Sequence, residues 1–313
     1  MKKFTIKVLI FTIYAIFIFI LFTLLIVLLP PTHQTSATLL FAEIQKDSLL
    51  KNEDSPRIIF IGGSNLSFGL NGQMIKDSLK LNPINTAIHA SIGIKYMLEN
   101  TLQYVREGDI IVFIPEYSHF YKSWDAGSEE LLRTVLDVKR ENIRLLNLGQ
   151  IISCVPYSAF KLNIGSYGVS KKFIELTEPC YRANAFDQYG DVYDSLRLVR
   201  KKIAPSKIDI KSYNPQVIKE IKTLSRKFQE KGATFMLSYP CFQGTSFQNS
   251  EEAIYKVQEA YKSNDFMILG TPKRYKMPDS LMFDTPYHLS KAGSDIRTKL
   301  LIEDIDSLGL LKK

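Results

Sequence analysis

A serine, a carboxylate and an imidazole occur in this chain at places that suit them for chemistry. The segment IFIGGSNLSFG sets Ser64 directly after Gly62 and Gly63, at the end of an apolar run. Paired glycines permit a tight turn, and a turn leaving a buried strand presents a serine hydroxyl with amide donors beside it, as a nucleophile requires. A glycine turn that cradles a phosphate is the alternative reading, although Gly62, Gly63 and Gly69 lack the GxGxxG spacing of a dinucleotide site. Far downstream, MFDTPYHLSKAG carries Asp284 and His288 in one loop. An imidazole acting as a base needs a carboxylate to fix its tautomer and stabilise its protonated form, and one loop can supply both. A purely structural histidine is the competing reading.

These residues need a scaffold that brings distant loops to one edge. Apolar runs of strand length occur at residues 57–61, 85–89, 109–115, 233–239 and 265–269, each bounded by Gly, Pro, Asn or Asp. Helical patterns lie between them, near 72–81, 94–106 and 250–263. The clearest starts at Asn214 as N-cap with Pro215 in first position, aligns Val217, Ile218, Ile221, Leu224 and Phe228, and stops at Gly232. The last opens at Ser290, is expected to bury Ile296, Leu300, Leu301, Ile305 and Leu308, and ends at Gly309. Strands apolar on both faces, alternating with amphipathic helices, predict an α/β three-layer sandwich around a parallel, flavodoxin-like sheet. The rhythm breaks over about 118–213, read as a mostly helical insertion whose first helix spans 128–146. Its aromatic pieces HFYKSW (119–124) and YRANAFDQYGDVY (181–193) could roof a site at the carboxyl edge of the sheet, or the insertion could pad that edge.

Composition narrows the setting. Residues 8–29 form 22 positions without a charge, enough to cross a bilayer core of about 30 Å at about 1.5 Å per residue. Such a run exceeds the apolar stretch of a cleaved signal and is read as an uncleaved signal anchor. Lys2, Lys3 and Lys7 precede it, which predicts a cytoplasmic tail at 1–7 and a body outside the membrane, reached through a stalk at 30–55. The chain carries a net charge of +8, or +5 once the three leading lysines are set aside, with both signs interleaved; this argues against a dedicated nucleic-acid binder, and the mild positive balance is an ordinary solvated surface or one suited to anionic lipid headgroups or anionic envelope polymers. Cys154, Cys180 and Cys241 have no metal-ligand spacing; a Cys154–Cys180 disulfide and three free buried thiols are both open. No metal or cofactor is called for.

Taken together, the GGS turn, the segment NTAIHASIG (85–93) and the Asp284/His288 loop resemble the SGNH/GDSL hydrolase family, over roughly residues 57–309 in strand order. The resemblance implies that Ser64 is the nucleophile, His288 the general base and Asp284 its orienting acid. It implies an oxyanion hole from the Ser64 amide and the second block, where Ala90 holds the position of the family's glycine and Gly93 is close by. Two departures stand out. Three residues, not two, separate Asp284 from His288, with Asp279 as a substitute acid; and the third block, Gly-x-Asn in the family, reads IPEYSHF here. An ionised Glu116 cannot donate to an oxyanion, so Tyr117, His119 and Asn65 are the candidate donors, with Glu116, Tyr117 and His119 also candidate substrate contacts.

A single N-terminal anchor on an extracytoplasmic domain of this type looks like bacterial proteins that add or remove acyl groups on cell-envelope polysaccharides. The resemblance implies a serine esterase or O-acyltransferase at the membrane, acting on an acylated glycan or other ester, with a membrane acyltransferase as a possible partner. A non-catalytic relative that binds glycan or an assembly partner in envelope polysaccharide biosynthesis is the alternative.

Overall fold

The computed structural model describes residues 2–162, 178–192 and 199–309. Five parallel strands form the central sheet: β1 (Arg57–Gly62), β2 (Asn82–Asn85), β3 (Ile110–Ile114), β4 (Thr234–Leu237) and, after a short outlying strand β5 (Phe242–Gln243), β6 (Met267–Ile268). Their order is β2-β1-β3-β4-β6, and β5 pairs separately with β7 (Lys276–Met277). Every residue of β1 is buried because helices cover both faces. Alternation along the strands sends Ile59, Ile61, Ile111, Phe113, Phe235 and Leu237 toward helices Ile94–Leu102, Pro215–Glu230 and Glu251–Lys262. The opposite set, Ile58, Phe60, Val112, Ile114 and Met236, meets Leu66, helix Gly72–Leu79 and helix Lys291–Ser307. The sandwich and the flavodoxin-like strand order are those expected.

Local sequence explains most boundaries. Asn214 caps Pro215–Glu230, its side chain accepting the Gln216 N–H at 3.0 Å. The second strand departs from expectation, running over 82–85 and not 85–89. Asn85 ends it: the side chain donates to Leu66 O (3.0 Å) and Asp191 (2.7 Å) and accepts the Ala87 N–H (3.1 Å), which turns the chain out of the ladder. The last helix also differs, with Ile296 and Leu308 exposed while Arg297, Thr298, Leu301 and Ile305 are buried. The loop after the GGS turn needs polar partners from that helix. Ser294 donates to Leu70 O (3.0 Å), Arg297 donates to Gly69 O (3.2 Å), and Thr298 accepts the Asn71 N–H (3.0 Å).

The N-terminal helix Lys2–Val27 is long and apolar enough to cross a membrane, and nearly all its side chains face outward. The segment expected as a stalk is instead folded into the body. Leu39, Leu40 and Ala42 enter a core cluster, and helix Glu43–Asn52 buries Leu50. Its polar residues are paired inside: Glu43 accepts from Asn100 (2.9 Å), Lys46 donates to Asn85 O (2.9 Å), and Asp47 pairs with Lys139.

The insertion is described over 118–162, 178–192 and 199–213. The single helix expected at 128–146 is three short pieces, Glu129–Arg133, a wide turn Thr134–Val138 and Arg140–Leu145, followed by helix Leu148–Leu162. Asn142 is drawn inside to Tyr96 and Asn100, at 2.8 Å each, which breaks the helical run. The three cysteines are free and buried.

Candidate active site

The GGS turn is shaped by close packing. A side chain at Gly62 would lie 2.6 Å from Ile114 O, and one at Gly63 would lie 2.9 Å from Ala90 Cα and 3.1 Å from Glu116 Oε1. The loops leaving β1, β2 and β3 therefore meet at this turn, which only glycine permits. Ser64 opens the short helix Ser64–Ser67 and is 7 % exposed. Its N–H and that of Ala90 have no acceptor among the described residues, since each begins a helical turn.

Asp284 and His288 come together as the sequence suggests. His288 Nδ1 lies 2.8 Å from Asp284 Oδ1. The additional residue in the loop is absorbed by Thr285, whose hydroxyl accepts the N–H groups of Tyr287 (3.3 Å) and His288 (3.1 Å), while Phe283 N–H donates to His288 O (2.8 Å). Burial alone would raise the Asp284 carboxyl, but hydrogen bonds from His288 and Tyr181 outweigh it and hold the group below its ordinary value. A carboxylate that accepts a hydrogen bond from Nδ1–H leaves Nε2 bare, the tautomer a general base uses. Asp279 does not reach His288: it accepts from Thr245 N (3.1 Å), Thr245 Oγ1 (2.8 Å) and Gln243 (3.1 Å).

The imidazole is joined to the serine turn by an aromatic contact. Phe68, four residues after Ser64, stacks on the His288 ring with centroids 4.3 Å apart and planes 14° apart. The Phe68 N–H donates to Ser64 O (3.0 Å), so stacking partner and serine share one turn. No hydrogen bond joins Ser64 Oγ to His288 among the described residues. Tyr181 is a member of the site that sequence reasoning missed. Its hydroxyl donates to Asp284 Oδ2 and lies 3.2 Å from His288 Nδ1, with its ring 5.3 Å from Phe68. The signal was its aromatic-rich segment, but nothing local marks which tyrosine reaches the acid. His89, also missed, lies close to His288; burial, above all, lowers its pKa.

Several candidates have other work. Gly93 donates its N–H to Ala90 O (3.1 Å), and its φ of +90° and close approach to Ala126 O make it a backbone crossing point, not an oxyanion donor. The Asn65 side chain donates to Ile114 O (3.1 Å), and its backbone N–H goes to the Glu116 carboxyl. Tyr117 points into the core against Phe242, near Tyr239, Tyr261 and Cys241, because the turn Tyr117–Tyr121 directs it inward; it is neither donor nor substrate contact. His119 is buried as well, with Nε2 3.1 Å from Ala90 O, and burial pushes it down to about 4, so the neutral ring donates and holds the Ala90 loop.

Glu116 remains beside Gly63, and burial raises it to about 7 despite the Asn65 N–H and the Lys122 charge. A folded-state value above the unfolded 4.5 contributes stability that is fully present below 4.5 and lost as pH rises through about 7. Between pH 5 and 8 the wild type should therefore lose stability relative to Glu116→Gln, by up to about 3 kcal/mol. The opposite contribution of His119, lost as pH falls from 6.5 to about 4, is common to both proteins and cancels. Thermal melting across this range checks the sign, and parallel curves would show that Glu116 is not held neutral.

No known family profile matches the chain, and no curated protein matches it. Among solved structures, it is similar to the crystal structure of protein YXIM from Bacillus subtilis, with 14% sequence identity and a TM-score of 0.38 over 81% of this chain. The match spans 57% of that protein's length.

Proposed function

We propose that this protein is a membrane-anchored serine esterase or O-acyltransferase of the SGNH type, acting on acyl esters of extracytoplasmic cell-envelope glycans. The observation that carries the reading is the Asp284–His288 pair stacked on Phe68, in the same turn as Ser64. Ser64 Oγ attacks the ester carbonyl and its proton passes to His288 Nε2, while Asp284 and Tyr181 hold the ring. The Ser64 and Ala90 N–H groups are the donors for the oxyanion, and a Glu116 kept neutral up to about pH 7 does not oppose that charge. Collapse of the intermediate expels the alcohol, which takes the proton from His288. Water or a sugar hydroxyl then gives up a proton to His288 and takes the acyl group from Ser64, and His288 returns that proton to the leaving Ser64 Oγ.

The membrane helix and the lysines before it support a body held at the outer face. The alternative, a glycan-binding body without turnover, is favoured by the missing Ser64–His288 hydrogen bond. The full-length protein in detergent should hydrolyse a p-nitrophenyl acyl ester, and added oligosaccharide should divert acyl groups from water if it is a transferase. Absence of ester turnover across chain lengths and pH would favour the binding reading.

A further inference from the structure

Helix Leu148–Leu162 has an apolar stripe that the body leaves uncovered. Leu148 is 74% exposed, Ile152 62%, Ile151 43% and Val155 36%, and their spacing places them along one face. The opposite face, with Cys154, Tyr157, Ser158 and Lys161, is buried against the body. What distinguishes this stripe from scattered surface apolar residues is its neighbour. Lys161 Nζ donates to Leu29 O (2.9 Å), and the Arg140 guanidinium donates to the same carbonyl, where the chain leaves the apolar helix Lys2–Val27.

There is no slack at this junction. Lys161 pairs with Asp137 (2.7 Å), and the same carboxylate accepts from Thr35 Oγ1 (2.9 Å) and Tyr157 (2.8 Å), all of them buried. Fixed side chains thus bind the end of the long apolar helix to the end of Leu148–Leu162, and the body cannot be raised away from a bilayer that the first helix crosses. A helix with one apolar face and one face held by polar contacts is suited to lie in the interface with the apolar side in the acyl-chain boundary.

We infer that helix Leu148–Leu162 docks on the lipid bilayer through Leu148, Ile151, Ile152 and Val155, as a second membrane contact continuous with the anchor. The inference rests on the membrane-crossing reading of Lys2–Val27 and is independent of the chemistry at Ser64. Such docking fixes the orientation of the body. It also sets the groove of about 410 Å³ between this helix and Glu129–Arg133 alongside the leaflet. The groove adjoins the site loops, since the Ser128 N–H donates to Ser91 O (3.0 Å) next to Ala90.

The test uses the full chain, with its native cysteines replaced by serine, reconstituted into phosphatidylglycerol/phosphatidylethanolamine vesicles. An environment-sensitive fluorophore is placed in turn at Ile152→Cys, Leu148→Cys, Phe17→Cys in the anchor and Tyr255→Cys on the helix Glu251–Lys262. Doxyl-labelled lipid should quench the 152 and 148 probes at least several-fold more than the 255 probe, with aqueous iodide showing the reverse order. Lipid quenching at 17 with 152 and 148 behaving like 255 would overturn the docking while leaving the anchor in place. Shielding of 152 from iodide without lipid quenching would also overturn it, since the stripe would then be covered by a second copy. Failure at 17 as well would remove the membrane-crossing reading and the docking with it.

Discussion

His288→Ala should lower turnover of a p-nitrophenyl ester by about 10⁴-fold or more, with the protein still folded. The ring is hydrogen-bonded to an acid and stacked on the turn that carries the serine, so in the proposed mechanism its loss leaves the Ser64 hydroxyl without its proton acceptor. Asp284→Asn should cost a similar order, about 10³- to 10⁴-fold, because an amide at 2.8 Å from Nδ1 favours the tautomer that puts the proton on Nε2. Tyr181→Phe removes one hydrogen bond to Asp284 and should cost about 10-fold, as a positioning effect seen in kcat with its pH dependence altered. The ordering separates catalysis from packing. A structural role for His288 would instead appear as a fall in melting temperature, with turnover per folded molecule unchanged.

Asp109→Ala should destabilise the fold by about 3–5 kcal/mol, the usual result of stranding a buried charge. Arg57 and Asp109 are both fully buried and lie at the starts of β1 and β3, with Arg57 Nε donating to Asp109 at 2.8 Å. The remaining guanidinium donors reach Leu50 O (2.7 Å) and Tyr104 O (3.1 Å), so this one side chain ties two strands to the segment that follows the anchor. Replacing both partners by apolar residues of similar size should recover much of the loss, because no charge is then left unpaired. Chemical or thermal unfolding in detergent reads the difference; a loss under about 1 kcal/mol for Asp109→Ala would mean that water reaches Arg57.

Much of this arrangement was legible in the sequence, for physical reasons that differ by element. β1, β3 and β4 are apolar on both faces, which only a covered parallel sheet explains, and Asn214-Pro215 marks a helix start through its own hydrogen bond. The Asp284/His288 pair was readable because one loop carries both groups. Features set by distant partners were not. The end of β2 depends on Asp191, the buried face of the last helix depends on the Gly69–Asn71 loop, and Tyr181 reaches Asp284 only through the fold of the insertion. The segment at 30–55 reads as a stalk because its polar residues are visible in sequence and their buried partners, Asn100, Lys139 and Asp137, are not. Likewise, the PEY sequence showed an acid beside the site but not that burial holds Glu116 near neutrality.

In the proposed mechanism Ser64 is a nucleophile activated by His288. The most direct measurement is treatment of the full-length protein with a fluorophosphonate, followed by peptide mapping by mass spectrometry. One adduct is expected on the peptide containing Ser64, absent in Ser64→Ala and formed at least about 100-fold more slowly in His288→Ala. An unmodified Ser64 after prolonged exposure, or labelling at Ser64 that is as fast without His288 as with it, would contradict it.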